Sequence, residues 1–169
     1  SRGKISEINN LITIKKISHL LNTVIFIQIA FGGLVAGLGA GLSYNTFPLM
    51  DGDFIPQGLF IGAFFESVTA IQFTPRMLPF AIVIIAVALF TLIIKNVTDS
   101  RIKRGAFALM VVLFLQFALG VATLIYVVPI ALASIHQAVA LVLLSTSLFI
   151  NYHLYAIGTA EEVVENIQP

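Results

Sequence analysis

Long stretches without a charged side chain limit most strongly how this chain can fold. Asp, Glu, Lys and Arg are absent between Lys16 and Asp51, between Arg76 and Lys95, and over residues 105–160. Only 10% of the residues are charged, whereas an ordinary soluble domain has roughly 25%. Because so few charges cannot cover a water-facing surface, the sequence predicts an integral membrane protein.

The apolar runs can be divided into four membrane spans. A hydrocarbon core of roughly 30 Å needs about 20 apolar residues in a helix, so the run over residues 105–160 has room for two spans. Pro129 marks a turn between them, because proline is poorly tolerated inside a helix. The predicted spans are residues 20–42, 77–94, 105–127 and 130–152, with an N-terminal segment 1–19, a membrane domain 20–153 and a tail 154–169.

The apolar runs also indicate which kind of secondary structure crosses the membrane. Backbone groups in lipid must be paired internally, so only helices or closed barrels span a bilayer. The runs are continuous instead of alternating in ten-residue units, which excludes a barrel. The predicted fold is an all-α integral membrane protein, a bundle of four transmembrane helices.

The basic residues predict the orientation of the bundle, because Lys and Arg are enriched in cytoplasmic loops. They concentrate before the first span and between the second and third: Arg2, Lys4, Lys15, Lys16, Lys95, Arg101, Lys103 and Arg104. We therefore expect both termini on the cytoplasmic side, or on the matrix side in an organelle. The first residues do not resemble a signal peptide, and we expect the chain to be the later part of a longer protein.

Composition excludes several classes of function. The formal net charge of +1 and the lack of a basic stripe argue against nucleic-acid binding. Without cysteine the chain has no disulfide, thiolate metal site or cysteine nucleophile. The remaining candidates are ionisable groups inside the spans, where burial is costly and function is the usual reason for their presence.

His136 is the strongest of these candidates. It follows Pro129 by seven residues, which places it roughly 10 Å into the membrane from the outer face at 1.5 Å per residue. Its imidazole could ligate a metal or a haem iron through one nitrogen while a neighbour orients the other. The alternative is a neutral histidine that bonds to a polar side chain such as Gln137 or Thr123. His19 and His153, near the opposite membrane face, are expected to be interfacial anchors.

Arg76 and a glycine stripe are further candidates. Arg76 opens the second span in the same leaflet as His136, where it could pair with a carboxylate such as a haem propionate or reach the lipid headgroups. Gly33 and Gly37 belong to a stripe of small residues that permits close approach of another helix or of a flat macrocycle. Helix packing is the commoner use of such a stripe.

A short internal repeat indicates duplication. QIAFG at residues 28–32 in the first span resembles QFALG at residues 116–120 in the third, and Val-Ala follows each motif. Such short matches in apolar sequence are a weak signal on their own.

Three segments resemble haem A synthases of the mitochondrial and α-proteobacterial type. They are GGLVAGLGAGLSYNTFPLM at residues 32–50, FESVTAIQF at residues 65–73 and LASIHQ at residues 132–137. The resemblance covers almost the whole chain. It implies the C-terminal half of an eight-helix, pseudo-symmetric membrane fold, located in a bacterial inner membrane or in the mitochondrial inner membrane.

The resemblance also implies an activity. Haem A synthases are oxidoreductases that convert the ring methyl of haem O into the formyl group of haem A, for cytochrome oxidase assembly. The second half of the family fold is thought to hold a haem b, while haem O binds in the first half. The implied partners are membrane lipid, an N-terminal half, haem O synthase or a second copy of the chain.

The same resemblance assigns site residues and reveals one departure. His136 matches a haem-iron ligand, Arg76 matches the family arginine, and Gly33 and Gly37 belong to the Gly-rich motif. The family reads Gln-Phe-x-His-Arg where this chain reads QFTPR, so Pro75 replaces the second expected histidine. Proline offers no imidazole, so catalytic competence is open, and the alternative is a non-catalytic or degenerate four-helix protein of a respiratory assembly.

Overall fold

The computed structural model describes residues 2–59, 62–63 and 67–167, with side chains for residues 8–59, 62–63 and 67–157. Four long helices account for most of this part of the chain: α1 Arg2–Gly37, α2 Val68–Asn96, α3 Ser100–Ile125 and α4 Ile130–Ile167. Within the described residues no β-strand forms, and an isolated bridge joins Met50 to Asp53. The predicted all-α fold is confirmed.

All four helices contain a stretch long and apolar enough to cross a bilayer, at residues 8–37, 68–96, 100–125 and 130–157. The helix bounds differ from the predicted spans. α1 ends at Gly37, because Gly39 adopts a left-handed φ of 61° and a 3₁₀ turn, Ala40–Leu42, follows it. α2 begins before the predicted span, because the Ser67 hydroxyl caps its first turn by accepting from the Ala70 N–H.

The turn between α3 and α4 lies where the sequence predicts it. Val127 and Val128 have positive φ angles of 60° and 55°, and α4 begins directly after Pro129. The Val128 N–H donates to the Thr123 carbonyl at 2.8 Å, which closes the end of α3. Proline suits this place because a helix start needs no N–H donor from it.

The helices form an up-and-down bundle. Each packs against its neighbour in sequence, and α1 also packs against α4, so α1 and α3, like α2 and α4, lie on diagonals. Both termini are at one end, here called the terminal end. The opposite loop end carries the segment between α1 and α2 and the turn before α4.

The apolar core occupies the terminal half of the bundle. Its last buried members toward the loop end are Ile25, Ile82, Leu113 and Leu143. Beyond them, residues 26–37 of α1, 114–125 of α3 and 130–142 of α4 include no buried residue. The loop half of α1, α3 and α4 is therefore only partly buried, whereas Ala70, Ile71, Gln72 and Arg76 of α2 are buried in the same half.

Polar side chains join α1 to α4 within the tightly packed half. Ser147 and Asn22 are buried, and the Ser147 hydroxyl donates to the Asn22 amide oxygen. One turn nearer the terminal end, the Asn151 amide nitrogen lies 3.1 Å from His19 Nδ1. Hydrogen bonds of this kind hold membrane helices together where no hydrophobic force acts between them.

Candidate functional site

His136 lies in a groove between α4 and α3. A Cβ added to Gly120 would stand 2.9 Å from the imidazole Cε1 atom, so the ring in its present place depends on the lack of a side chain at residue 120. Gln116, one turn along α3, brings its amide nitrogen to 3.4 Å from His136 Nε2. His136 Nδ1 is buried and has no hydrogen-bond partner. One ring nitrogen thus faces an amide while the other is unpaired.

The polar neighbour of His136 differs from both residues that the sequence suggested. Gln137 is exposed, and the Thr123 hydroxyl donates to the Leu119 carbonyl of its own helix at 2.7 Å. Gln116 takes their place. The internal repeat already singled out this glutamine, but its pairing with His136 depends on how α3 and α4 rotate against each other.

Pro75 contributes a main-chain carbonyl to the contact between α1 and α2, the helix pair that does not contain His136. Pro79, four residues later, has no N–H, so the Pro75 carbonyl lacks its usual helical donor. The Gln28 amide nitrogen of α1 donates to this carbonyl at 2.9 Å. The Gln28 amide oxygen is buried without a partner.

The internal repeat corresponds to equivalent contacts in three dimensions. Gln28 on α1 contacts Pro75 near the start of α2, and Gln116 on α3 contacts His136 near the start of α4. Since α2 and α4 lie on a diagonal, an approximate twofold axis along the bundle relates the two helix pairs. Positions 75 and 136 are therefore counterparts across the bundle.

Arg76 is buried, with 6% of its surface exposed, and it holds the loop that follows α1. Its guanidinium donates to the carbonyls of Tyr44, Thr46 and Leu49, the Thr46 contact being 2.6 Å. It also donates to the Gln72 amide oxygen at 3.1 Å. We call residues 44–49 the outer loop. Arg76, which the sequence suggested as a partner for a ligand carboxylate, thus uses these N–H groups to bind the outer loop.

An aromatic side chain inserts the outer loop between two helices. The Phe47 ring lies 6.3 Å from that of Phe80 on α2 and 6.0 Å from that of Phe117 on α3, measured between centroids. Phe80 and Phe117 are themselves 5.9 Å apart. Together with Arg76, this triad fixes the outer loop over the loop end of the bundle.

Gly33 and Gly37 lie on an exposed face of α1. A Cβ added at either position would meet no atom within 4 Å, whereas one at Gly41 would lie 3.2 Å from the Val128 side chain. No helix of the described chain therefore uses Gly33 or Gly37 for close packing, and neither contacts His136.

The other two histidines lie at the terminal end, away from His136. His19 pairs with Asn151, and His153 Nδ1 lies 2.9 Å from the Phe149 carbonyl. In the part of the chain that the structure describes, no three His, Asp or Glu side chains cluster as a metal site would require. Among the described residues of the loop half, His136 is the one histidine.

These features define a helical membrane protein whose loop half contains one imidazole with an unpaired nitrogen. Residues 2–148 match the family model described as "Cytochrome oxidase assembly protein". The chain belongs to this family, and it is a multi-pass membrane protein.

Curated relatives carry a more specific name. A "Heme A synthase" of Nitrosospira multiformis is 42% identical over 143 residues, which are 81% of this chain and 40% of the relative. Another of Rickettsia africae is 42% identical over 132 residues, 76% of this chain and 39% of the relative. The "Heme A synthase" of Flavobacterium johnsoniae is 38% identical over 155 residues, which are 88% of this chain and 46% of the relative.

The predicted family is therefore confirmed. The chain spans about two fifths of the length of the first of these relatives. No solved structure matches it.

Proposed function

We propose that this chain is the C-terminal half of a haem A synthase, with a role in haem A biosynthesis for cytochrome oxidase. The complete enzyme would oxidise the ring methyl of haem O to the formyl group of haem A, while this half holds a haem b. Family membership and the names of the relatives support the role in haem A biosynthesis. The two-fifths coverage supports a half of a larger helical fold.

The observation that carries the proposal is the environment of His136. A histidine that ligates a metal donates its second ring N–H to a neighbour. With the Gln116 amide turned so that its buried, unpaired oxygen accepts from Nε2–H, the Nδ1 lone pair of His136 would be free for a metal. Residues 114–125 of α3 and 130–142 of α4, which would border the haem, include no buried residue. The residues fit a haem held through one histidine, and the haem would supply one-electron transfer.

We propose supporting parts for the other predicted site residues. Arg76 would act from the loop end by keeping the outer loop over the haem site, where its guanidinium is also the nearest cation for a propionate. Gly33 and Gly37 present a smooth surface that could receive a macrocycle or another helix. The helix would come from an N-terminal half, haem O synthase or a second copy of this chain.

Haem retention tests the proposal directly. The full chain would be purified in detergent from cells supplied with haem, and its haem content would be measured by absorbance per protein. We expect His136→Ala to lose the haem and His153→Ala, a matched change at the terminal end, to retain it. Equal haem content in the two variants would refute His136 as the ligand.

A second candidate, a non-catalytic or degenerate membrane protein, is favoured by Pro75 at the expected ligand position. Co-expression with an N-terminal half in cells that lack haem A synthase would separate the two. Extracted haem A is the result expected from the enzyme. Persistent haem O, in cells where the chain is present and loaded with haem, would support the non-catalytic reading.

We propose an inner-membrane location, bacterial or mitochondrial, with both termini on the cytoplasmic or matrix side. The chain contains no cysteine, so single cysteines can be labelled without background. Asp53→Cys should react with an impermeant reagent from outside, and Lys103→Cys only after the membrane is opened. Reaction of both from the same side would refute this topology.

A further inference from the structure

The approximate symmetry relates His136 to a position whose carbonyl is already hydrogen-bonded. Position 75 is the counterpart of position 136, and its carbonyl is freed by Pro79 and then taken by the Gln28 amide nitrogen. The Pro75 ring carries no lone pair for a metal. At the position that the symmetry relates to His136, α2 thus presents a satisfied backbone group instead of a second imidazole.

No other side chain of α2 takes over this position. The helix face that carries Pro75 continues through Gln72, Pro79 and Ile82, and none of these side chains is a usual haem ligand. Met77 could ligate iron, but it lies two residues from Pro75 and therefore about 200° around a helix of 3.6 residues per turn. It points to the opposite face.

We infer that a haem held on His136 keeps one axial position open on the α2 side, beside Pro75 and Gln28, and takes a small uncharged ligand there. This inference rests on the proposed haem ligation by His136. The haem would be bordered by residues 26–37 of α1 and 130–142 of α4, which include no buried residue.

Gln28 gives the open position a chemical preference. Its amide nitrogen is bound to the Pro75 carbonyl, which holds the amide oxygen next to position 75. That oxygen is buried and has no partner, so it can accept a hydrogen bond from a ligand. A bound ligand with an N–H group, such as imidazole, should therefore gain a hydrogen bond from this oxygen, whereas carbon monoxide, which has no donor, should gain none.

Absorption spectra of the haem-loaded full chain test this inference. The reduced protein is titrated with carbon monoxide and the oxidised protein with imidazole. Wild type and Pro75→Ala should start with a high-spin, five-coordinate haem and bind both ligands. Pro75→His should start low-spin and bind them at least tenfold more weakly, because the new imidazole takes the position. Gln28→Leu should weaken imidazole about three- to tenfold, the loss of one hydrogen bond, and leave carbon monoxide unchanged.

The outcomes separate the inference from the proposed function. A haem that depends on His136 but is already low-spin in wild type would overturn the inference and leave the haem site standing. If Met77→Leu converts that low-spin haem to a high-spin one, Met77 is the second ligand. A high-spin haem that binds neither ligand would also overturn the inference, whereas wild-type haem content equal to that of His136→Ala would refute the haem site itself.

Discussion

The bond between Gln28 and the Pro75 carbonyl should contribute most to stability because of Pro79. If residue 79 could donate an N–H, the carbonyl would be paired within α2 whether or not Gln28 also donates to it. A double-mutant cycle with Gln28→Leu and Pro79→Ala tests this dependence. Leucine is close in size to glutamine, has neither donor nor acceptor and is not a haem ligand.

The magnitude follows from the atoms involved. Interhelical hydrogen bonds in membranes contribute about 0.6 kcal/mol on average and at most about 1.7 kcal/mol. Gln28→Leu removes one such bond and leaves a carbonyl unpaired, at a cost of about 1–3 kcal/mol, but it also removes the buried, unpartnered oxygen of Gln28. We expect a net loss of about 1 kcal/mol in wild type and close to none with Pro79→Ala.

The free energy of unfolding in mixed micelles measures the coupling, expected at about 0.6–1.7 kcal/mol. Gln116→Leu is the matched control, because the equivalent glutamine of α3 contacts His136 and no proline carbonyl. Its cost should be independent of residue 79. If Gln28→Leu costs the same in both backgrounds, the carbonyl does not need Gln28, and the reasoning about the open position loses its basis.

Three further predictions concern other parts of the fold. Arg76→Ala should destabilise the protein by on the order of 2–3 kcal/mol, since charged hydrogen bonds are lost, and should speed proteolysis within the outer loop; Arg76→Lys, which lacks the planar fork, should restore only part. Gly120→Ala should cost about 1–3 kcal/mol by displacing the His136 ring, while Gly32→Ala, its repeat counterpart with no atom within 4 Å, should be neutral in the same denaturation assay. The Arg101 N–H lowers the pKa of Asp99, which caps α3. A lowered carboxyl pKa stabilises the folded protein above the ordinary carboxyl pKa, and this stabilisation is lost as the pH falls, so thermal unfolding of Asp99→Asn should depend less on acid pH than that of wild type. An equal dependence in the two proteins would contradict this.

Local properties of the sequence were sufficient for the architecture. The charge-free runs predict four spans because hydropathy depends on composition over about 20 residues, and the structure has four helices that long. Pro129 predicts the turn before α4 because proline restricts its own backbone wherever it occurs. The sequence singles out His136 as a candidate for a similar reason, since an ionisable group in an apolar span is conspicuous without any knowledge of its neighbours.

Contacts between helices could be decided only by the tertiary structure. Gln116 beside His136, Gln28 on the Pro75 carbonyl and Arg76 on the outer loop all join residues at least 20 positions apart. Such pairs depend on which helices are neighbours and on how each is rotated about its axis. Both are set by the packing of all four helices at once, and a rotation of a few tens of degrees would replace these contacts while leaving the hydropathy of every span unchanged.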